Sequence, residues 1–346
     1  MKRGWLIASV TAVFLLLMPV LGISIGSINI PPSHVVRYLL DQLPFLHDRI
    51  TPNWTEAEAA ILMQIRVPRT VVGFLVGASL SVAGVAYQGV LRNPLADPYT
   101  LGVSTGASVG AAAVITLVGQ GSAILSYLFV PAAAFVGACL ALATVLVLGS
   151  TQGTIRTETL ILAGVVVNAL FGAVLSLILW LSPSNTAAQI IWWMVGSLTL
   201  RDWTHAGVVL PIFLVAWACI GWRARDLNVL AMGDEQAASL GVPVLRVKGS
   251  LLVLASLAAA GAVSVAGIIG FVGLVVPHVL RLLLGVDHRP LIFLSALVGG
   301  GFLVGCDLIA RTVLSPVELS IGIVTALLGA PFFGYLLHKK KRRGTF

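Results

Sequence analysis

Charge is scarce in this chain. Asp, Glu, Lys and Arg make up 10% of its 346 residues, where a soluble domain carries roughly 25%. That scarcity argues against a pair of water-soluble domains, which the length alone would allow. Cysteine is scarcer still, with Cys139, Cys219 and Cys306 the three present. Each lies inside an apolar run without CxxC or His/Cys spacing, so they read as small buried hydrophobes and point to no metal site. No GxxxxGK[ST] phosphate loop occurs, and Lys248-Gly249-Ser250 has those residue types in the wrong order. ATP hydrolysis by that route is excluded. A Ser/His/Asp arrangement and an HExxH signature are also missing, which leaves no catalytic residues to name. The long apolar runs hold almost no ionisable residues, where an ion-coupled carrier would need them.

Apolar length is abundant. Hydrophobic residues reach 58% and mean hydropathy is +1.02. Ten runs read as membrane spans, at about 5–25, 67–90, 101–118, 124–149, 159–181, 204–222, 249–266, 268–285, 291–312 and 319–338. A helix needs roughly 20 apolar residues to cross the hydrocarbon. The third and eighth runs are short or glycine-interrupted, which suits broken helices sheltered inside a bundle. The expectation is an all-α polytopic membrane protein, a single domain over residues 1–346. Met1-Lys2-Arg3 resembles the start of a signal peptide, but the run from Trp5 to Ile25 is long and lacks a small-x-small cleavage site.

Basic residues orient the chain. With both termini in the cytoplasm, the inside holds Lys2, Arg3, Arg92, Arg156, Arg223, Arg225, Arg246, Lys248, Arg281, Arg289 and the tail Lys339 to Arg343, fifteen of 21. The outside keeps Arg37, Arg49, Arg66, Arg69, Arg201 and Arg311. The positive-inside rule selects this arrangement, so the net charge of +8 reflects topology and no nucleic-acid partner is called for. Gly73, Gly77 and Ser81 share one helix face, as do Gly301 and Gly305, and such small residues allow close helix packing. Trp192 and Trp193 suit an interfacial helix. The outer stretch 26–66 holds four prolines and a short amphipathic segment around Trp54–Met63.

Four segments carry more specific patterns. The first is QGVLRNPLADPYTLGVSTGASVG, from Gln88 to Gly110, where Asn93-Pro94 and Asp97-Pro98 make paired Asx-Pro turn signals. The second is the inner loop of about 223–248. There Asp234 and Glu235 suit a helix start and Gly241 with Pro243 suits its stop. Met232, Ala237, Ala238 and Leu240 give that short helix an apolar side, which calls for a partner or a bilayer surface. The third, from Gly261 to Arg281, contains Gly267, Ile269, Phe271, Val272, Gly273, Leu274, Pro277, His278 and Arg281. Snorkelling and carbonyl capping account for His278 and Arg281. The fourth is ELSIGIVTALLGAPFFGYLL, from Glu318 to Leu337.

These strings, in this order, resemble the membrane-spanning permease subunits of bacterial ABC importers for iron-siderophores, haem and cobalamin. The resemblance runs over about residues 60 to 338; the 26–60 stretch has no match in it. It implies a type II importer fold in the bacterial cytoplasmic membrane and a second permease subunit, a copy or a sister chain. It also implies two cytoplasmic ATPases, which use ATP and Mg, and an extracytoplasmic binding protein. Its L-x-x-L-x-L/M-G-x-x-x-A-x-x-L-G pattern falls on Leu227, Leu230, Met232, Gly233, Ala237, Leu240 and Gly241, implying a coupling helix that docks into the ATPase. Arg66, Arg69 and Arg311 occupy the positions that accept glutamates from the binding protein. Reversing Arg66 and Arg69 to Glu is then expected to weaken docking while the complex still assembles. Ser104, Thr105, Ser108, Asn168 and Ser176 suit a polar pathway, and Thr157 lies where relatives carry a gate. A ferric siderophore is the expected cargo, with cobalamin or haem as alternatives. An ion-coupled carrier or an intramembrane enzyme is the competing class.

Overall fold

The computed structural model describes residues 2–26, 28–46, 50–118, 123–151 and 154–342. Arg49 and Arg343, assigned above to the outer and inner sides, lie outside the described residues. The helices in chain order are α1 (Lys2–Ser24), α2 (Pro32–Asp41), α3 (Glu56–Ile61), α4 (Val67–Val90), α5 (Val103–Val118) and α6 (Ala123–Gly149). They continue as α7 (Thr157–Leu181), α8 (Ser184–Met194), α9 (Trp203–Trp222), α10 (Ala224–Leu230), α11 (Asp234–Ser239), α12 (Val244–Ala266), α13 (Val272–Leu284), α14 (His288–Thr312) and α15 (Ile321–Arg342). Among the described residues, β structure is limited to one pair of two-residue strands, Ser150–Thr151 with Thr154–Ile155. Each of the ten apolar runs became a helix. Six helices are long and apolar enough to cross a membrane, and four apolar helices are shorter.

Helix α4 is the axis of the bundle, packed by α14, α12, α13 and α9. Its small residues explain why it can be buried on almost every side. A Cβ at Gly77 would overlap the Gly299 carbonyl of α14, and one at Gly84 would overlap the Gly273 carbonyl of α13. Only glycine lets these backbones meet, and van der Waals contact at that range is what holds helices together in lipid. Gly301 lies against Phe14 and Gly305 against Met18, so the second stripe packs α14 on α1. Both stripes are used within this chain. Elsewhere the apolar faces are open: Leu162, Val165, Leu170, Leu177 and Trp180 of α7 are exposed. Such a face needs lipid or another protein against it.

Of the two short runs expected to be broken, the third forms the uninterrupted α5, while the eighth is non-helical at its start. Between α12 and α13 the chain leaves the helical state, with left-handed backbone at Gly267 (φ 72°) and Phe271 (φ 69°). Unwound backbone inside a bundle must find partners. The Tyr99 hydroxyl donates to the Ile269 carbonyl (2.7 Å) and accepts from the Ile269 amide (3.2 Å). The Ser197 amide donates to the Ala266 carbonyl (2.8 Å).

Candidate functional site

The Asx-Pro segment folds as two capped turns. Asn93 accepts the Leu95 amide on its side chain (2.9 Å). Asp97 accepts the Tyr99 amide (2.7 Å) and so caps a 3-10 turn, Pro98–Leu101, which ends at left-handed Gly102. Pro98 suits the first turn position because it has no amide to satisfy there. Pro94 belongs to the turn before it. Burial pushes the Asp97 carboxyl up to about 6, opposed by its bond from the Tyr99 amide. The capped turn aims Tyr99 at the break between α12 and α13, and the turn thus supports the unwound backbone described above.

The inner loop of about 223–248 packs beside this turn. Leu227, Leu230 and Ala237 are buried and anchor α10 and α11 to the body. Leu227 occupies the space a Cβ at Gly89 would take. Asn228 donates to Asp287 (2.7 Å), accepts the His288 amide (2.9 Å), and faces His288 Nδ1 at 2.8 Å. That bond from Asn228 holds the Asp287 carboxyl below its usual range. Arg281 donates to Gln88 (3.0 Å), joining α13 to the end of α4. His278 packs on Phe333 of α15.

Helix α11 is held by charge as well as by packing. Asp234 accepts Lys248 Nζ at 2.6 Å and lies 3.5 Å from Arg92. The Lys248 side chain is 1% exposed. In the sequence Asp234 reads as a helix-start acid and Lys248 as an inner-side basic residue, with no pairing between them expected. A lysine at the head of an apolar helix, fourteen residues after an acid in a short loop, was the available signal. Gly233 (φ 122°) and Gly241 (φ 84°) turn the chain into and out of α11 in conformations a side chain would strain. Met232 and Leu240 are each 63% exposed, and Ala238 beside them is exposed too. The seven residues of the loop pattern therefore divide into anchors, turn glycines and an apolar tip facing away from the bundle.

At the opposite end of α4 lie the three arginines expected at a docking rim. Arg66, Arg69 and Arg311 are all buried and bonded within the chain. A π turn, Leu62–Arg66, leads into α4 and sets Arg66 beneath the end of α1. There it donates to the carbonyls of Ile23 (2.9 Å), Ser24 (2.8 Å) and Ile28. Arg311 donates to the Gly22 carbonyl. Two guanidinium groups thus cap the last carbonyls of α1, where positive charge is favoured. Arg69 bridges Asp307 (2.8 Å) and Glu318 (3.0 Å), while Arg311 is 3.6 Å from Asp307. Glu318 also accepts from Thr199 (2.8 Å). A glutamate at position 66 or 69 would face carbonyls or carboxylates, so the double reversal tests folding before it tests docking.

The pathway residues divide in the same way. Ser104 and Ser108 are buried, and Ser108 bonds to the Ser104 carbonyl of its own helix (2.9 Å). They belong to the packed interior of the chain. Thr105 donates to Asn168 (2.7 Å), whose amide reaches the Tyr99 (3.3 Å) and Thr100 (3.4 Å) carbonyls. Ser176 is exposed on α7 and bonds to the Gly172 carbonyl (2.9 Å). Thr157 is half-buried at the start of α7.

Residues 14–339 match the FecCD transport family. The chain belongs to that family. It is 44% identical over 340 residues to YvrB, an ABC transporter permease protein of Bacillus subtilis, covering 96% of this chain and 93% of that one. Identity to the cobalamin import permease BtuC of Halobacterium salinarum is 45%, over 83% of this chain and 76% of that one. The hemin transport permease HmuU of Yersinia pestis is 38% identical, over 82% and 84%. A solved metal-chelate type ABC transporter in an inward-facing conformation superposes with TM-score 0.83 at 28% identity, covering 96% of this chain and 99% of that one. FecCD chains are permease subunits of ABC importers, transport components of the membrane, and this chain is one of them. The family match also reaches further back than the sequence reading expected, through α2 and α3.

Proposed function

We propose that the chain pairs with a second permease subunit, a copy or a sister chain, in the bacterial cytoplasmic membrane with both termini inside. The ten apolar helices all cross or enter the bilayer, and the end bearing α10 and α11 faces the cytoplasm. Two ATPase subunits sit against Met232, Ala238 and Leu240 and supply the ATP and Mg chemistry. A binding protein docks at the opposite end, where Arg66, Arg69 and Arg311 shape the surface from beneath. The cargo is a ferric-siderophore-type chelate. Cobalamin and haem are the second reading, favoured by the names of the BtuC and HmuU relatives. Asn168, Thr105, Ser176 and Thr157 border the route on the α7 side.

The observation that carries this reading is the apolar tip on α11. Two large hydrophobes project from a helix that is fixed by a buried lysine and by buried leucines. An exposed apolar tip on a rigid mount can take up force from a partner and pass it to α4, α12 and α14. ATPase closure moves the mount and switches which side the route opens to. The test is reconstitution with an ATPase that co-purifies with this chain and with the binding protein. ATP-dependent accumulation of ferric siderophore is expected, with cobalamin and hemin as parallel arms. Uptake by the lone chain without nucleotide would sink the reading.

A further inference from the structure

At the coupling-loop end of α9 two cavities share Gly221 and Arg289 and form one groove. The inner part, about 240 Å³, is walled by Trp217, Ile292 and Phe293. The outer part, about 470 Å³, is bordered by Trp222, Arg225 and Arg289. Trp217 is held between Phe213 and Phe293, with ring centroids 6.3 and 6.2 Å away. Its indole N–H is buried without a partner. Arg225 and Arg289 are exposed and have no ion pair among the described residues. The nearby acids are committed: Asp226 pairs with Arg223 at 3.3 Å, and Asp287 is held by Asn228 and by the Arg289 amide.

We propose that this groove seats a phospholipid with an anionic headgroup from the cytoplasmic leaflet. The inference rests on the orientation proposed above. The headgroup phosphate meets Arg225 and Arg289, for which guanidinium is the better matched cation. One acyl chain lies along Trp217, Ile292 and Phe293. A free phosphate would leave the aromatic part empty, so the two-part lining selects a lipid. Trp222 and the arginines stand where aromatic and basic residues mark the membrane interface. The site lies between α9 and the start of α14. Asp287 and His288 there are tied to the coupling loop through Asn228. A seated lipid therefore braces the mount of α10.

Native mass spectrometry of the full-length protein with equal phosphatidylglycerol and phosphatidylcholine tests this. Each arginine near an anionic headgroup is worth about fivefold in affinity. Phosphatidylglycerol is expected to bind in preference, and R225Q/R289Q to lose that preference by about 25-fold. A Cβ at Gly221 meets nothing within 4 Å, so Gly221→Leu fills the groove without a clash. It is expected to block both lipids while both arginines remain. Arg246→Gln, outside the groove, keeps the preference. Equal binding of the two lipids overturns the proposal, as does undiminished preference in R225Q/R289Q. Displacement by millimolar inorganic phosphate or by the ATPase partner does the same. ATP-driven uptake measured on the same preparations separates failure of this site from failure of the functional reading.

Discussion

Lys248 and Asp234 allow a direct test of how α11 is mounted. The ammonium is 1% exposed and its carboxylate partner 37% exposed. Breaking a fully buried pair by removing one partner costs about 3–5 kcal/mol, because the remaining charge is stranded. Water reaches Asp234, so the loss for Asp234→Asn is smaller, about 2 kcal/mol. Lys248→Met behaves differently. It replaces the buried cation with an apolar chain of similar length, and Asp234 keeps both water and Arg92 at 3.5 Å. Its cost is below about 1 kcal/mol. The double variant strands no charge and is expected to be more stable than Asp234→Asn alone, a coupling of at least ~1 kcal/mol. Reversible denaturant unfolding in detergent micelles gives the four corners of the cycle. The ATPase rate of the reconstituted complex shows whether a loosened α11 also transmits poorly. Additive losses, with the double variant the least stable of the four, would refute the reasoning.

Met232→Asp with Leu240→Asp is expected to leave the unfolding midpoint unchanged and abolish co-purification of the ATPase, since both side chains face away from the body. Gly84→Val is expected to stop accumulation of folded protein, because its Cβ meets the Gly273 carbonyl; fluorescence-detected size exclusion reads this directly. Arg69→Met leaves the buried Asp307 carboxylate with only Arg311 at 3.6 Å and should cost about 3 kcal/mol, with Arg69→Lys recovering only part, as one ammonium replaces a guanidinium that spans two acids. Asp97 has a folded-state pKa above its unfolded one. Its contribution is therefore fully present below about pH 4 and is lost as pH rises through about 6. Asp97→Asn keeps the cap on Tyr99 and removes this titration. It should match the parent at about pH 3.5 and exceed it at about pH 7.5 by up to ~3 kcal/mol; a constant difference across that range counts against a buried carboxyl.

Apolar run length is a local property, and it was enough to place ten helices within a few residues of their ends. Turn chemistry is local too. Asn93, Asp97, Gly241 and Pro243 act where their residue types allow, because an Asx cap or a left-handed glycine depends on neighbours two or three positions away. The small-residue faces of α4 and α14 were legible for the same reason, since spacing by four is a helix property. Charge was different. Arg69 meets partners 238 and 249 positions along the chain, and Arg311 caps a helix 289 positions before it. Whether a guanidinium faces water or carbonyls depends on which distant segments the bundle brings beside it. Spacing along the sequence carries no record of that. Tertiary packing alone decided that the arginines of one end are internal, that Lys248 fastens α11, and that Tyr99 satisfies the broken backbone at Ile269.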